Sequence, residues 1–338
     1  MPASDRPRIV LLSPRARRDE VFTAETYARL ARLGDVTVPE GSTAELGALL
    51  PSLLPTADAL LTGWGSPALT PEAIASAPRL RIISHYAGSV KQMIPVDVFL
   101  RGITVCHAAD VIAEAVSEFT LMMILTGLRR PHDASATLHA GGEWRDARYG
   151  WFGNQLAGRT VGLVGCGYVA RRVLALLRPF GVRVLVYDPY LAPEVAAKLG
   201  VEQVGLDELF ARATIVSNHA PVTPETRCLI QERHLAALPA GAVFVNTARS
   251  WTVDQKALLR QLLTGRFWAA LDVFDIEPLP TDSPFRGLPN VLITPHMAGQ
   301  TRETYVKQGM VAVEELERYF AGEPLRYRLD PAAYDRMA

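Results

Sequence analysis

Gly165-Cys166-Gly167-Tyr168-Val169-Ala170 decides the fold because of what flanks it. The run Thr160-Val161-Gly162-Leu163-Val164 before it reads as a buried strand, and Tyr168 to Leu177 after it places apolar residues at helical spacing. A second apolar run, Val182 to Tyr187, then ends in Asp188, 23 residues beyond the first glycine. Strand, tight glycine turn, helix, strand and acid is the order a dinucleotide site requires. Gly165 allows the sharp turn and Gly167 lets the backbone approach a pyrophosphate. Tyr168 and Val169 open the helix, whose N-terminus offers N–H groups and a positive dipole end. Ala170 stands where a third glycine is commonest, and Asp188 is placed to accept from a ribose diol. A glycine turn alone is a weak signal, open to the alternative of another α/β fold in which Asp188 is an ordinary strand-end acid. The flanking order argues against that alternative.

A chain of 338 residues is too long for one ordinary core and implies two domains. Lys+Arg and Asp+Glu balance at 35 each, so no net field favours nucleic acid or an anionic membrane, and a small-molecule partner is expected. The longest apolar helical stretch, Phe119 to Leu128, is too short to cross a bilayer. The N-terminus, with only Ile9–Leu12 as an apolar run, has no signal-peptide core, so a cytoplasmic location is expected. Cys106, Cys166 and Cys228 are odd in number and far apart, which argues against disulfides and fits a reducing compartment. No His/Cys set has metal-site spacing, and no metal is expected.

Short apolar runs alternate with helical patterns throughout, the signature of parallel sheets covered by helices. The first strands are predicted at Ile9–Leu12, Val36–Val38, Ala59–Thr62, Leu80–Ser84 and Ile103–Cys106, with helices at Glu20–Leu33 and Ala44–Leu50. Ala113–Leu128 reads as a long buried helix, and Arg129 to Gln155 as an extended connection without a period. The second set is predicted at Val161–Val164, Val182–Tyr187, Ile215–Asn218, Val243–Asn246, Ala269–Val273 and Val291–Thr294, followed by an amphipathic helix over Thr301–Phe320.

Three polar groups follow strands of the second set: Arg249 after Val243–Thr247, Glu277 after Ala269–Val273, and His296 after Val291–Pro295. In a doubly wound sheet the loops after the strands' carboxyl ends share one crevice. An arginine there can bind a carboxylate with its planar fork, a histidine can exchange a proton with a hydroxyl, and a carboxylate can hold the imidazole. Each has a bland reading as a surface ion-pair member, but together with the glycine turn they form a set for hydride chemistry.

These segments resemble the D-isomer-specific 2-hydroxyacid dehydrogenases. The matching pieces are Leu156-Ala-Gly-Arg-Thr-Val-Gly-Leu-Val-Gly165, His219-Ala-Pro-Val-Thr-Pro-Glu-Thr226, Val245-Asn-Thr-Ala-Arg249, Ala270-Leu-Asp-Val-Phe-Asp-Ile-Glu-Pro-Leu279 and Thr294-Pro-His-Met-Ala-Gly299. The resemblance implies an α/β protein of two doubly wound parallel-sheet domains. A Rossmann domain binding NAD(H), over 108–298, would be inserted into a discontinuous, flavodoxin-like substrate domain made of 1–107 and 299–338. It also implies roles for Arg249 on the substrate carboxylate and carbonyl, His296 as acid/base and Glu277 as its partner. Asp272 falls where the family hydrogen-bonds the nicotinamide amide, and Thr247, Ala248, His219 and Pro221 where it lines the nicotinamide and its ribose. The region after Ala113 resembles the family's dimerisation segment, so a homodimer acting on a 2-hydroxy/2-keto acid pair is expected, with NAD preferred to NADP through Asp188.

Two other classes share the architecture: NAD(H)-sensing corepressors and the formate- and phosphite-type dehydrogenases. Glu277 argues against the formate type, which carries glutamine there. The chain also departs from the family pattern. Ser250 replaces the glycine usual after the arginine, with Trp251 beside it. The substrate loop, usually similar to G-V-G-x-D-N-[IV]-D, reads Gly88-Ser89-Val90-Lys91-Gln92-Met93-Ile94-Pro95. The backbone N–H groups around Gly88, Ser89 and Val90 remain candidates for a substrate carboxylate. Selectivity beyond it is expected from His85, Tyr86 and Lys91, the lysine being either a candidate for a second anionic group or a solvated loop lysine.

Overall fold

Unbroken apolar runs such as Leu60-Leu61 and Val243-Phe244-Val245 suit strands covered on both faces, because successive side chains point to opposite sides and both sides need apolar cover. A computed structural model of the chain, describing residues 6–337, has that arrangement in two units. One unit runs to Ile112 and resumes at Gln300; the other is Ala113–Gly299.

The first unit holds a parallel sheet of β1 (Arg8–Leu12), β2 (Asp35–Thr37), β3 (Ala59–Thr62), β4 (Ile82–His85) and β5 (Thr104–His107), in the order β2-β1-β3-β4-β5. Val10, Leu12, Leu60, Ile83 and Val105 face one core, and the alternate residues Ile9, Leu11, Ala59, Leu61 and Ile82 face the other. Helix Arg302–Ala321 covers the second face with Ala312, Val313 and Leu316. Its N-terminus is set by Thr301, whose side chain accepts from the Thr304 N–H. Its middle approaches the end of helix Arg15–Val21 so closely that a Cβ on Gly309 would lie 2.3 Å from the Val21 carbonyl oxygen.

The second unit holds β6 (Thr160–Val164), β7 (Arg183–Tyr187), β8 (Glu202–Gln203), β9 (Ile215–Asn218), β10 (Val243–Asn246), β11 (Trp268–Leu271) and β12 (Val291–Ile293). All pairs are parallel, in the order β12-β11-β10-β9-β6-β7-β8. The order reverses between β6 and β9, so the loops after these strands flank the topological switch point where such sheets bind ligands.

Several elements differ from the sequence reading. The helix predicted over Glu20–Leu33 is two helices, Arg15–Val21 and Ala24–Leu33, because Phe22 is extended and Thr23 caps the second by accepting from Thr26 N–H. The stretch Arg129–Gln155, predicted as an extended connection, contains helices Pro131–His139 and Trp144–Tyr149. Neither buries a residue, so neither leaves an apolar period to read. β8 was missed because its two residues are exposed. The apolar helix is Ala109–Arg129, continuing through Asp110, Glu114 and Glu118. At 21 residues it is long and apolar enough to cross a membrane by length and composition, contrary to the expectation, although half of the apolar window is buried in the fold.

The contact at Gly309 gives a direct test of how the closing helix seats. Gly309→Ala should lower the thermal midpoint by several degrees, an overpacking cost of about 1–3 kcal/mol. A midpoint equal to that of the native chain, followed by circular dichroism, contradicts this close approach.

Candidate active site

Gly165 ends β6 at φ +90°, in the left-handed region, and a Cβ there would stand 3.0 Å from the His219 carbonyl. Only glycine meets both demands without strain. Gly167 caps helix Tyr168–Leu177 with no side-chain hydrogen bond, and its missing Cβ would face nothing within 4 Å. Space and an uncapped helix start thus coincide. Asp188, at the end of β7, reaches back to the turn: its carboxylate accepts from Cys166 N–H at 2.8 Å and Tyr190 N–H at 2.9 Å. His219, after β9, is half-buried, its buried Nε2 has no partner among the described residues, and desolvation pushes its pKa down to about 4. Pro221 follows in the same loop, half-buried. An orphaned ring nitrogen beside an open glycine turn and a strand-end acid suits a dinucleotide.

The arginine turn is shaped by buried amides at matching positions of neighbouring strands. Asn218 and Asn246 are paired in register at the ends of β9 and β10, and the Asn218 Nδ2 donates to Asn246 Oδ1 at 3.1 Å and to Thr252 Oγ1 at 2.7 Å. Asn246 in turn donates to the Arg249 carbonyl and accepts from Ala248 N–H. Thr247 Oγ1 meets Thr120 Oγ1 at 2.8 Å, fixing the start of this turn to helix Ala109–Arg129. Arg249 is half-buried, and burial lowers its pKa from the ordinary arginine value while Glu277 opposes the shift.

His296 and Glu277 stand together, with Nδ1 2.7 Å from Glu277 Oε2. Glu277 is itself braced, its Oε1 accepting from Phe274 N–H at 2.9 Å. The histidine sits at φ +52°, a strained backbone for a residue with a Cβ. Asp272 holds it there. Its fully buried carboxylate accepts from Thr294 Oγ1 at 2.5 Å, Met297 N–H at 3.0 Å and Ala298 N–H at 3.0 Å, and its carbonyl accepts from His296 N–H at 2.8 Å. Asn218, Asn246 and Thr252 were not singled out from the sequence. For the two asparagines the signal was an amide closing a strand run, Ile215-Val216-Ser217-Asn218 and Val243-Phe244-Val245-Asn246; Thr252 had none.

In the first unit the loop Gly88–Val90 follows β4. No hydrogen bond to another described residue engages the N–H groups of Gly88, Ser89 and Val90. The neighbours expected to select a substrate are otherwise engaged, which corrects the sequence reading. His85 and Tyr86 are fully buried, with the Tyr86 hydroxyl on Ser13 Oγ. Lys91 Nζ donates to the Asp335 carbonyl at 2.7 Å and so ties the loop to the C-terminal turn. Among the described residues no cluster of His, Cys, Asp or Glu suits a metal ion.

Comparison with known proteins identifies the family. Residues 121–298 match the family described as "D-isomer specific 2-hydroxyacid dehydrogenase, NAD binding domain". The chain is 38% identical over 272 residues to a D-3-phosphoglycerate dehydrogenase of Mycobacterium leprae, covering 80% of this chain and 50% of that protein. It is 37% identical over 259 residues to a glyoxylate reductase of Aeropyrum pernix, covering 74% and 76% of the two chains. The crystal structure of a phosphoglycerate oxidoreductase from Rhizobium etli superposes with a TM-score of 0.78 at 27% identity, over 96% of this chain and 99% of the other. The chain belongs to the D-isomer-specific 2-hydroxyacid dehydrogenase family, and NAD(H) is its cofactor. It spans about half the length of the phosphoglycerate dehydrogenases it matches.

Two buried histidines of the first unit make stability depend on pH. Burial, and next the neighbouring His107, pushes His85 down to about 3, while burial pushes His107 to about 4 against the pull of Asp110. Both lie below the unfolded histidine value of about 6.5, so the unfolded chain binds more protons once the pH falls under that value. The stability is therefore complete above about pH 6.5 and declines below it, by about 1.4 kcal/mol per ring for each pH unit. Thermal midpoints should fall between about pH 6.5 and 5, before carboxylates titrate, and fall less in His107→Asn. A level midpoint across that window contradicts two neutral buried rings.

Proposed function

We propose that the chain is an NAD-dependent oxidoreductase interconverting a D-2-hydroxy acid and its 2-keto acid. The observation that carries this reading is the 2.7 Å contact between His296 and Glu277, on loops at the carboxyl edge of the sheet that also bears the glycine turn and Arg249. NAD(H) supplies the hydride donor and acceptor. A carboxylate only accepts, so Glu277 fixes the hydrogen of the imidazole on Nδ1 and assigns proton exchange to Nε2. That nitrogen takes the hydroxyl proton during oxidation and returns it to the carbonyl oxygen during reduction. Arg249 anchors the carboxylate and polarises the carbonyl. Within the first unit, the open amides of Gly88–Val90 are the groups that we assign to a substrate carboxylate. Gly165, Gly167, Tyr168 and Val169 would hold the pyrophosphate, with Asp188 on the adenosine ribose and His219, Pro221, Thr247, Ala248 and Asp272 toward the nicotinamide end. The names of the relatives, a phosphoglycerate dehydrogenase and a glyoxylate reductase, support small 2-keto acids as the substrate class.

We assign a homodimer through the second unit. Trp144, Tyr149, Trp151 and Phe152 are exposed there, and Leu121, Met122, Leu125 and Leu176 line an apolar groove of about 570 Å³. Light scattering at micromolar concentration should give twice the chain mass, and a monomer would refute the dimer.

The activity is tested with glyoxylate, hydroxypyruvate and pyruvate, each with NADH and with NADPH, by the loss of reduced-cofactor absorbance. Turnover with NADH is expected, at least about tenfold better than with NADPH, since Asp188 repels a 2′-phosphate. His296→Ala should lose on the order of 10²–10⁴-fold in kcat. Arg249→Ala should lower kcat/KM for every keto acid alike, and Glu277→Gln should lower kcat while leaving the KM for NADH nearly unchanged. Native activity in His296→Ala would remove the histidine from the proton step.

A further inference from the structure

Resting on that reading, we propose that His85 is a positioning residue for substrate binding: it turns the Ser89–Val90 peptide so that its N–H is presented to the substrate carboxylate. His85 ends β4 and is paired in register with Thr62 at the end of β3. Its ring is buried and joined at both nitrogens, with Nδ1 2.9 Å from Thr62 Oγ1 and Nε2 3.1 Å from the Ser89 carbonyl oxygen. A carbonyl only accepts, so Nε2 carries the hydrogen. Nδ1 is then an acceptor and the Thr62 hydroxyl donates to it. Thr62 thereby selects the tautomer that His85 needs in order to hold Ser89.

The consequence for the loop follows from peptide geometry. In a planar trans peptide the C=O of one residue and the N–H of the next are antiparallel. With the Ser89 carbonyl drawn inward to His85, the Val90 N–H is aimed away from the ring. The peptide two residues earlier is tied the same way, because the Ala87 carbonyl accepts from Ala108 N–H at 3.0 Å and leaves Gly88 N–H on the opposite side. The far side of the loop is anchored by the Val90 carbonyl, which accepts from Met93 and Ile94 N–H, and by the fully buried Val90 side chain. Neither the Gly88 nor the Val90 N–H bonds another described residue. In a loop lacking the second glycine and the Asp-Asn pair usual in the family, a histidine beneath it takes over the fixing of its backbone. The neutral ring suits this task, since a protonated Nδ1 could not accept from Thr62.

The test is steady-state kinetics of the full chain with NADH and each of glyoxylate, hydroxypyruvate and pyruvate, alongside a crystal structure of His85→Leu. His85→Leu should raise the KM for the keto acid about tenfold, the effect of one mispositioned charge-assisted hydrogen bond. Its kcat should stay within about threefold and its KM for NADH should not move. His85→Gln, which keeps a donor for Ser89, should recover most of the loss, and Thr62→Val should raise the keto-acid KM by about two- to fivefold. A folded His85→Leu with the native keto-acid KM, or a loss confined to kcat, overturns the proposal. Should that variant not fold, a native KM in Thr62→Val overturns it instead. If the native chain reduces none of the three acids, the proposed function fails on its own account. The crystal structure then decides this point separately: an unchanged Ser89–Val90 peptide removes the role given to His85, and a flipped peptide upholds it.

Discussion

The arrangement of the candidate active site depends on one buried carboxylate. Asp272 is fully buried with no cation among the described residues bonded to it, and a carboxylate in that position is costly unless donors satisfy it. Three donors do so, all from the turn Thr294–Ala298, and its own carbonyl takes a fourth from His296. That constraint is what makes a left-handed histidine tolerable, and it sets the ring within reach of Glu277. Asp272 is therefore the structural support of the His296–Glu277 pair.

A second polar layer works in the same way at the next strands. Asn218 and Asn246 are adjacent in register; Asn246 uses donor and acceptor on the backbone of the arginine turn, while Asn218 donates to Asn246 and Thr252 and accepts from Ala220 N–H in the loop after β9. The sheet thus delivers Arg249 and His296 on turns whose backbones are held by buried polar groups at the strand ends. Interior strands bring rigidity, and the polar residue closing each strand converts it into the aim of a side chain two or three residues further on.

Much of this was legible in the sequence, for a physical reason. Buried parallel strands need apolar runs, and the glycine turn and the strand-end polar residues interrupt those runs where the candidate site lies. Gly165, Asp188, Arg249, Glu277 and His296 all stand at such interruptions. The sequence was silent where structure forms without burying anything, as in helices Pro131–His139 and Trp144–Tyr149. It also misled where a polar residue turns inward. His85, Tyr86 and Lys91 look like pocket residues by type and position, yet the first two are core and the third is tied to the C-terminal turn. Residue type does not tell whether a strand-end side chain faces a crevice or a neighbouring strand.

The helix Arg302–Ala321 supplies Ala312, Val313 and Leu316 to a core otherwise built from residues such as Ile9, Leu11 and Tyr86, near the other end of the chain. The intervening unit, Ala113–Gly299, is continuous in sequence and carries its own two cores. During synthesis the order of completion is therefore inverted. The unit begun second can close while the one begun first still exposes an apolar sheet face, which stays open until about 190 further residues have emerged. The parallel strands β1 and β3 to β5 must wait in that state, so the first unit is where a chaperone would find its binding surface on the nascent chain.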